Sequence, residues 1–141
     1  MNVADVMSQD VEYVEPSASV QEAAELMGEI DVGALPVGDA AHLDGVVTDR
    51  DILYRVVARG LDPAATTVRS VASRPVVVCR DDDTLQAAMD LMAANHVRRL
   101  PVADRAGRVV GWITLADVAR RLLVENVAMQ AALRALTEDG E

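Results

Sequence analysis

The stretch VQEAAELMGEIDVGALP, residues 20–36, returns in the second half of the chain as LQAAMDLMAANHVRRLP, residues 85–101. Each copy ends in a proline and is followed by a short variable segment and then by a shared phrase. That phrase is GVVTDRD at residues 45–51 and GWITLAD at residues 111–117, with the common form Gly-x-x-Thr-x-x-Asp. An internal repeat of this length indicates two copies of one supersecondary unit that stack on each other.

Length and composition fit one compact domain with an aliphatic core. The chain has 141 residues, and 51% of them are apolar. Two tyrosines and one tryptophan are the only aromatic residues, and there is no phenylalanine. We therefore expect a core of alanine, valine, leucine and methionine in a domain of ordinary size.

The charge of the chain argues against nucleic acid and against anionic membranes as partners. The formal net charge is −10, whereas affinity for nucleic acid comes mainly from neutralising phosphates. The charge is uneven, because residues 1–63 hold 13 acidic residues and 3 arginines while residues 64–122 hold 6 and 9. The two repeats thus share a pattern but differ in electrostatic character.

The single cysteine and the first residues predict a cytoplasmic protein. Cys79 has no partner for an intrachain disulfide, which fits a reducing compartment. The segment MNVADVMSQDVEYV lacks the basic and apolar regions of a signal peptide. No apolar run approaches the roughly 18 residues that a membrane helix needs. We expect Cys79 to be buried and inert.

Hydrophobic periodicity predicts the order β-α-β-β-α in each repeat. In the first repeat it gives strands at 11–14, 34–37 and 43–47, a helix after the capping box Ser19-Val-Gln-Glu22, and a helix from Thr48 to Gly60. In the second it gives strands at 75–79, 99–102 and 109–113, a helix beginning near Leu85, and a helix from Thr114. The last helix of each repeat should turn its larger apolar residues inward: Ile52, Leu53, Val56 and Val57, and Leu115, Val118 and Leu122.

These elements divide the chain into two repeats and a tail. We assign the first repeat to residues 3–60, a linker to 61–66 and the second repeat to 67–122. Apolar residues continue at helical spacing over 123–136, which predicts either a continuation of the last helix or a separate C-terminal helix. Residues 137–141 are expected to fray.

The repeated phrase has the composition of a nucleotide site. Thr48 stands where a strand meets a helix, so the unpaired N–H groups there can accept a phosphate and the hydroxyl can donate to it. Asp51 lies one turn later and can accept two hydrogen bonds from a ribose diol, while Gly45 would let the ligand approach. A threonine cap followed by aspartate is also ordinary helix chemistry, but two copies at equivalent places favour a site.

The spacing, the strands GALPV and RRLPV, and the two Gly-x-x-Thr-x-x-Asp phrases make the chain resemble a pair of CBS domains, a Bateman module, over residues 3–122. The resemblance implies an α+β fold of tandem β-α-β-β-α repeats packed by pseudo-twofold symmetry, with a C-terminal helical extension. It also implies two clefts between the repeats and a homodimer. Many members of this family bind adenine nucleotides, and some bind no known ligand.

The resemblance implies which residues would line each cleft. Cleft A would hold Thr48, Arg50 and Asp51, facing Ser73, Val77, Arg98 and Arg99. Cleft B would hold Thr114 and Asp117, facing Ser8, Glu12, Gly33 and Ala34. The base would be bordered by the residues between glycine and threonine: Val46, Val47, Trp112 and Ile113.

The two clefts should differ in their preference for phosphate. Cleft A concentrates Arg50, Arg98 and Arg99, and arginine can clamp phosphate with two hydrogen bonds. Cleft B has no arginine before its proline, and Glu12 would repel an anion. We therefore expect cleft A to favour the more highly phosphorylated nucleotide. The arginine pair could instead be a solvated strand edge or a dimer salt bridge, and Trp112 could stack on a base or fill the core.

The sequence thus predicts a regulatory ligand-sensing module and not an enzyme. Its ligand would be AMP, ADP, ATP or S-adenosylmethionine, with no obligatory cofactor and no metal. Its partners would be a second copy and an unidentified effector protein. No Walker loop, nucleophile elbow or HExxH motif occurs. The alternatives are an interaction dimer of the same fold without nucleotide affinity, and a redox regulator acting through Cys79.

Overall fold

Each repeat contains an antiparallel strand pair and helices before and after it, as the repeated pattern predicts. The structure is a computed structural model, and it describes residues 1–138. A short 3-10 helix, Val3–Asp5, stands at the start of the first repeat. The three residues 139–141 of the expected frayed tail lie outside the described residues.

The first repeat begins with a capped helix and ends with a helix that changes its winding. Its elements are α1 Val20–Ile30, β1 Ala34–Gly38, β2 Leu43–Thr48 and α2 Asp49–Ile52, which continues as a π-helical turn over Leu53–Val57. The Ser19 hydroxyl accepts from the Glu22 amide at 3.1 Å and starts α1. Asp31, in the left-handed conformation at φ 55°, ends it.

The second repeat copies this arrangement after a short helix that the sequence did not predict. The elements are α3 Val68–Val71, β3 Cys79–Arg80, α4 Leu85–Asn95, β4 Arg99–Ala103, β5 Val109–Thr114 and α5 Leu115–Glu138. The Thr84 hydroxyl caps α4 by accepting from the Ala87 amide at 3.0 Å. His96 ends that helix at φ 54°, the place that Asp31 takes in the first repeat.

The two strand pairs have the same register. In the first, Pro36 lies opposite Val46, and in the second Pro101 lies opposite Trp112. The short strand β3 adds to the second pair and runs parallel to β4. The tandem fold with pseudo-twofold symmetry and a C-terminal helix is thereby confirmed.

The first strand of each repeat is shorter than predicted. Of the strand expected at 11–14, only Val14 forms a bridge, with Val37, and of the strand expected at 75–79 only Cys79 lies in β3. The reason is that the chain before each strand pairs with the other repeat. Ser8 bridges to Trp112 and Ser73 bridges to Val46, so only the end of each stretch reaches its own repeat.

The two repeats exchange their leading segments. The core of the first repeat contains residues from the segment before β3, and the full set is Val14, Val20, Ala23, Met27, Leu35, Val37, Val47, Val56, Val68, Val71 and Ala72. The core of the second repeat contains a residue from the N-terminus, and the full set is Val3, Cys79, Leu85, Ala88, Met92, Leu100, Val102, Ile113 and Val118. Each core is therefore completed by the chain that leads into the other repeat.

The last helices of the repeats bury fewer residues than predicted. Val56 and Val118 are fully buried, but Leu53 and Val57 are 53% and 60% exposed. Residues 115–122 and 123–136 belong to the one helix α5, so the predicted extension is a continuation. In the part of the chain that the structure describes, no helix is both long and apolar enough to cross a membrane.

Because the segment before β3 packs in the core of the first repeat, a core mutation in that segment should destabilise the first repeat. Val68 is fully buried in the first core, so Val68→Ala should lower the free energy of unfolding by about 2 kcal/mol. Urea unfolding measures this loss. Hydrogen exchange should show lost protection in β1 and β2 before β4 and β5.

The neighbouring exposed residue is the control for this change. Thr67→Ala removes no buried group and no side-chain cap, so it should change stability by less than about 0.5 kcal/mol. Loss of protection in β4 and β5 alone after Val68→Ala would contradict the exchange of segments.

Candidate functional site

Both Thr-x-x-Asp phrases form reciprocal caps at the start of a helix. The Thr48 hydroxyl accepts from the Asp51 amide at 3.1 Å, and the Asp51 Oδ2 accepts from the Thr48 amide at 3.0 Å. Thr114 and Asp117 repeat the pair at 3.1 and 3.3 Å. Both phrases therefore act as helix caps in the structure. Each aspartate keeps one carboxylate oxygen, Oδ1, for other partners.

In cleft A the free oxygen of Asp51 reaches the other repeat's leading segment. The Ser73 hydroxyl donates to Asp51 Oδ1 at 3.0 Å. The backbones of Ser73 and Val46 exchange hydrogen bonds of 2.8 and 3.2 Å. Asp51 is 8% exposed and is the one buried charged residue among residues 1–137. Thr48, Asp51, Ser73 and Val46 are thus brought together as the resemblance implies.

The arginines assigned to cleft A lie at different places. Arg50 extends along α2, where its guanidinium lies 5.4 Å from the centre of the Tyr54 ring. Arg98 is exposed and Arg99 is half-buried. A guanidinium nitrogen of Arg99 lies 3.5 Å from where a Cβ on Gly33 would stand, although Gly33 was assigned to cleft B. Val77, also assigned to cleft A, packs at the edge of the second core.

In cleft B an arginine takes the place that Ser73 has in cleft A. Arg120 donates to Asp117 Oδ1 at 2.6 Å. Ser8 exchanges two backbone hydrogen bonds of 2.8 Å with Trp112, but its hydroxyl accepts from the Asp10 amide at 3.3 Å. Glu12 is exposed. An open depression of about 350 Å³ lies beside Asp117 and is lined by Asp5, Val6, Asp117, Arg120, Arg121 and Val124.

Three residues assigned to the clefts have their side chains in the cores. Val47 and Ile113 are fully buried and Ala34 is 5% exposed. Successive side chains of a strand point to opposite faces, so Val46 and Trp112, which are half-buried, take the face opposite Val47 and Ile113. The prediction that Val47 and Ile113 border a base is therefore wrong for their side chains.

The two glycines of the phrase make room for the protein's own chain. A Cβ on Gly45 would stand 3.1 Å from the Ser73 carbonyl oxygen and from the Ala72 Cβ. A Cβ on Gly111 would stand 2.8 Å from the Ser8 carbonyl oxygen. The expectation that Gly45 admits a ligand is corrected, because the exchanged segments occupy the space over both glycines.

These close contacts predict that alanine at the two glycines lowers the free energy of unfolding to different extents. Gly111→Ala should lower the free energy of unfolding by about 1–3 kcal/mol, because the backbone of Ser8 must move. Gly45→Ala should cost less, since its contacts are longer. Thermal or urea unfolding compares the two variants.

A glycine without neighbours provides the control. Gly28 lies inside α1, and a Cβ there would meet no atom within 4 Å. Gly28→Ala should stabilise the protein by about 0.5–1 kcal/mol through helix propensity. An equal loss of stability for Gly111→Ala and Gly45→Ala would contradict the graded close approach.

Several arginines that hold the exchanged segment were missed by sequence reasoning. Arg55 donates to the Val71 carbonyl at 2.8 Å. Arg69 and Arg74 both donate to Asp44, and the hydrogen bond from Arg69 lowers the pKa of the Asp44 carboxyl. These pairs span 16 to 30 residues in sequence, so no local pattern could reveal them. Arg120 follows Asp117 by three residues, and that helical spacing was an available signal.

Cys79 is buried, as predicted. Its exposed fraction is 1%, and its sulfur lies 3.8 Å from the Pro101 carbonyl oxygen. Burial, with a smaller contribution from the charge of Asp83, raises the pKa of the thiol to about 11. Little thiolate therefore exists at neutral pH, and a redox role through this residue has no support in the structure.

The raised pKa predicts slow thiol chemistry in the native protein. At pH 8 a disulfide reagent such as DTNB should react with Cys79 at least about 100-fold more slowly than in 6 M urea, because attack needs local opening. Absorbance of the released thiolate measures the rate. Since the thiol ionises more easily when unfolded, stability should fall as the pH rises from 9 towards 11. Equal rates in both conditions would contradict burial.

The described residues gather no obvious metal site. Among the side chains of residues 1–137, no group of three His, Cys, Asp or Glu is placed to hold one metal ion. His42 and His96 are both exposed and lie in different repeats. Cys79, the remaining soft ligand, is enclosed in the second core.

The repeats match a known family. The family model for the CBS domain matches residues 3–58 and 68–124. The chain belongs to the CBS domain family. It is 39% identical over 136 residues to the CBS domain-containing protein YhcV of Bacillus subtilis, covering 96% of this chain and 93% of that protein. It is 38% identical over 119 residues to Hypoxic response protein 1 of Mycobacterium tuberculosis, covering 84% and 82%.

Solved structures of CBS pairs share the fold. Hypoxic Response Protein I, solved with two coordinated zinc ions, is 36% identical with a TM-score of 0.75, over 86% of this chain and 98% of that one. CBSX2 in complex with AMP is 32% identical with a TM-score of 0.74, over 89% and 98%. The CBS pair of MJ0100, in complex with 5′-methylthioadenosine and S-adenosyl-L-methionine, is 25% identical with a TM-score of 0.78, over 89% and 98%.

Proposed function

We propose that this protein is a regulatory module that binds an adenine nucleotide or S-adenosylmethionine between its repeats and passes the signal to a partner protein. The observation that carries the proposal is the group of Thr48, Asp51 and Ser73, which joins a helix start of one repeat to the leading segment of the other. The adenosine ligands of the CBSX2 and MJ0100 structures support this ligand class.

The chemistry of cleft A suits a ribose and a phosphate. The Asp51 carboxylate can accept from a ribose diol once the Ser73 hydroxyl turns away, because a hydroxyl is free to rotate. The amide end of α2 and the Thr48 hydroxyl suit an anion. Among the side chains of residues 1–137, no carboxylate lies within 4.0 Å of the Arg99 guanidinium, as the ion pairs present involve other residues. Arg99 lies beside Gly33, whose carbonyl accepts from the Asp49 amide at the start of α2, so its guanidinium is available for a phosphate there, whereas the Arg98 carbonyl accepts from the Leu115 amide at the start of α5.

Cleft B should bind such a ligand more weakly. Arg120 already neutralises Asp117 at 2.6 Å, and a diol must compete with that charged hydrogen bond. We therefore propose that cleft A takes the more highly phosphorylated nucleotide.

Self-association is part of the proposal. The outer face of the helix after β2 exposes large apolar side chains: Leu53, Tyr54, Val57 and Leu61. The related face of α5 exposes Leu123 and Val127. Patches of this kind mark contact surfaces, and pseudo-twofold symmetry brings these two faces into equivalent positions. A homodimer built on them would carry the signal between subunits.

An interaction dimer without nucleotide affinity is the second candidate. It is favoured by the carboxylates themselves, since Asp51 and Asp117 have both oxygens engaged by the protein. In that case the Thr-x-x-Asp phrases would serve as helix caps alone. Calorimetry separates the two candidates.

Nucleotide binding is tested by isothermal titration calorimetry with AMP, ADP, ATP and S-adenosylmethionine. We expect micromolar binding of at least one ligand, and Arg99→Ala should weaken a phosphorylated ligand by about 10-fold or more through loss of a charged hydrogen bond. S-adenosylmethionine, which has no phosphate, should be affected less. Absence of heat with every ligand would favour the interaction dimer.

Matched variants serve as controls for the binding measurement. Arg105→Ala removes the same charge from an exposed turn and should leave binding unchanged. Asp51→Ala should abolish binding in cleft A, with circular dichroism to show that it folds despite the lost cap. Gly33→Ala is a poor probe of cleft B, because its Cβ would stand 3.0 Å from an Asp49 carboxylate oxygen. Equal weakening by Arg99→Ala and Arg105→Ala would contradict a phosphate site in cleft A.

A further inference from the structure

Arg55 links the helix start of cleft A to the leading segment that carries Ser73. Its guanidinium donates to the Val71 carbonyl at 2.8 Å and to the Ala72 carbonyl at 3.4 Å, and Ser73 is the next residue of that segment. The Arg55 Nε lies 3.9 Å from Asp51 Oδ1. This distance makes an ion pair but is too long for a hydrogen bond, so Arg55 leaves the oxygen to the Ser73 hydroxyl.

The winding of the helix explains why Arg55 reaches this segment. The residue lies in the π-helical turn Leu53–Val57, where the Ala58 amide donates to the Leu53 carbonyl, five residues back, at 2.9 Å. A turn with this wider bonding changes the directions of its side chains, and such turns occur frequently at functional sites. The equivalent stretch of α5 is α-helical throughout.

The second repeat has the same arginine but lacks the link. Arg121 follows the aspartate of its phrase by four residues, as Arg55 does. The carbonyls of Val6 and Met7 take the equivalent places, directly before the serine that bridges to the other repeat. Among the side chains of residues 1–137, no guanidinium donates to these two carbonyls, as the hydrogen bonds present go to other acceptors. Arg121 instead lines the open depression of about 350 Å³ beside Val6.

We propose that Arg55 is a positioning residue of cleft A, which fixes the backbone before Ser73 so that a ligand has to turn only the Ser73 hydroxyl away from Asp51. A guanidinium suits this task, because it is planar, always charged and carries several donors in one rigid group. With the backbone held, less conformational freedom remains to be lost on binding. The role in ligand binding rests on the proposed function, whereas the positioning itself can be measured without a ligand.

Other contacts keep the segment in place when Arg55 is removed. Arg69 and Arg74 both donate to the Asp44 side chain on β2, away from the helix start. The apolar residues of the segment also remain in the first core. We therefore expect Arg55→Ala to fold and to loosen the chain around Ser73 alone.

Hydrogen exchange tests the positioning. The Ser73 amide donates to the Val46 carbonyl at 2.8 Å, and Arg55→Ala should raise its exchange rate by about 10-fold or more, because local opening becomes easier. The matched control Arg121→Ala should change the rate of the equivalent Ser8 amide by less than about 2-fold. Neither arginine belongs to the apolar faces proposed for the dimer. Unchanged exchange at Ser73, or an equal rise at the two serines, would overturn the proposal.

Calorimetry with ATP and 2′-deoxy-ATP tests whether the positioning serves the ribose. The deoxy compound lacks one donor to Asp51, so the wild-type protein should bind it about 10-fold more weakly. In Arg55→Ala the ratio of the two affinities should fall below about 3-fold, because a displaced site cannot use the missing hydroxyl. Arg121→Ala should keep the wild-type ratio. An unchanged ratio in Arg55→Ala would overturn the proposal, since an arginine that only stabilised the fold would weaken both compounds equally.

The two measurements separate this inference from the proposed function. If ATP binds the wild-type protein and Arg55→Ala keeps the full ribose selectivity, nucleotide binding stands and the positioning role fails. If neither compound gives heat with the wild-type protein, the proposed binding of ATP fails. The exchange rate at Ser73 then decides alone whether Arg55 holds the segment.

Discussion

The exchange of leading segments is the constraint on which the rest of the structure depends. Val3 completes the second core and Val68 completes the first, so neither repeat has a full core from its own continuous sequence. The backbone bridges Ser8–Trp112 and Val46–Ser73 hold the exchanged chains in place. Separating the repeats would open both cores to water, and burial of apolar surface is the main favourable term in folding. These crossings therefore hold the two repeats together.

The same residues serve the fold and the proposed site, and this limits how the site can work. Thr48 and Asp51 complete a helix cap, which places the amides and the carboxylate at one end of α2 without a ligand. A ligand at this point finds a preorganised group, which reduces the cost of binding. It must also replace the hydroxyl of Ser73 or the guanidinium of Arg120. Both carboxylates have an arginine beside them, since the Arg55 guanidinium lies 3.9 Å from Asp51 Oδ1. The sites differ in that a hydroxyl from the other repeat donates to Asp51, whereas Asp117 Oδ1 accepts from Arg120 of its own helix.

The sequence predicted the elements well where the determinants are local, and less well where the partner is distant. The helix starts at Ser19, Thr48, Thr84 and Thr114 follow from side chains that cap within three residues. The strand pairs follow from the repeated proline and glycine positions. The exchange could not be read in the same way, because Val68 looks like any apolar residue before a strand and its core lies in the preceding repeat. For the same reason Gly45 suggested room for a ligand, whereas the space belongs to Ala72 and Ser73. The positions of Val47 and Ile113 were available from strand alternation, and only Val46 and Trp112 should have been assigned to the clefts.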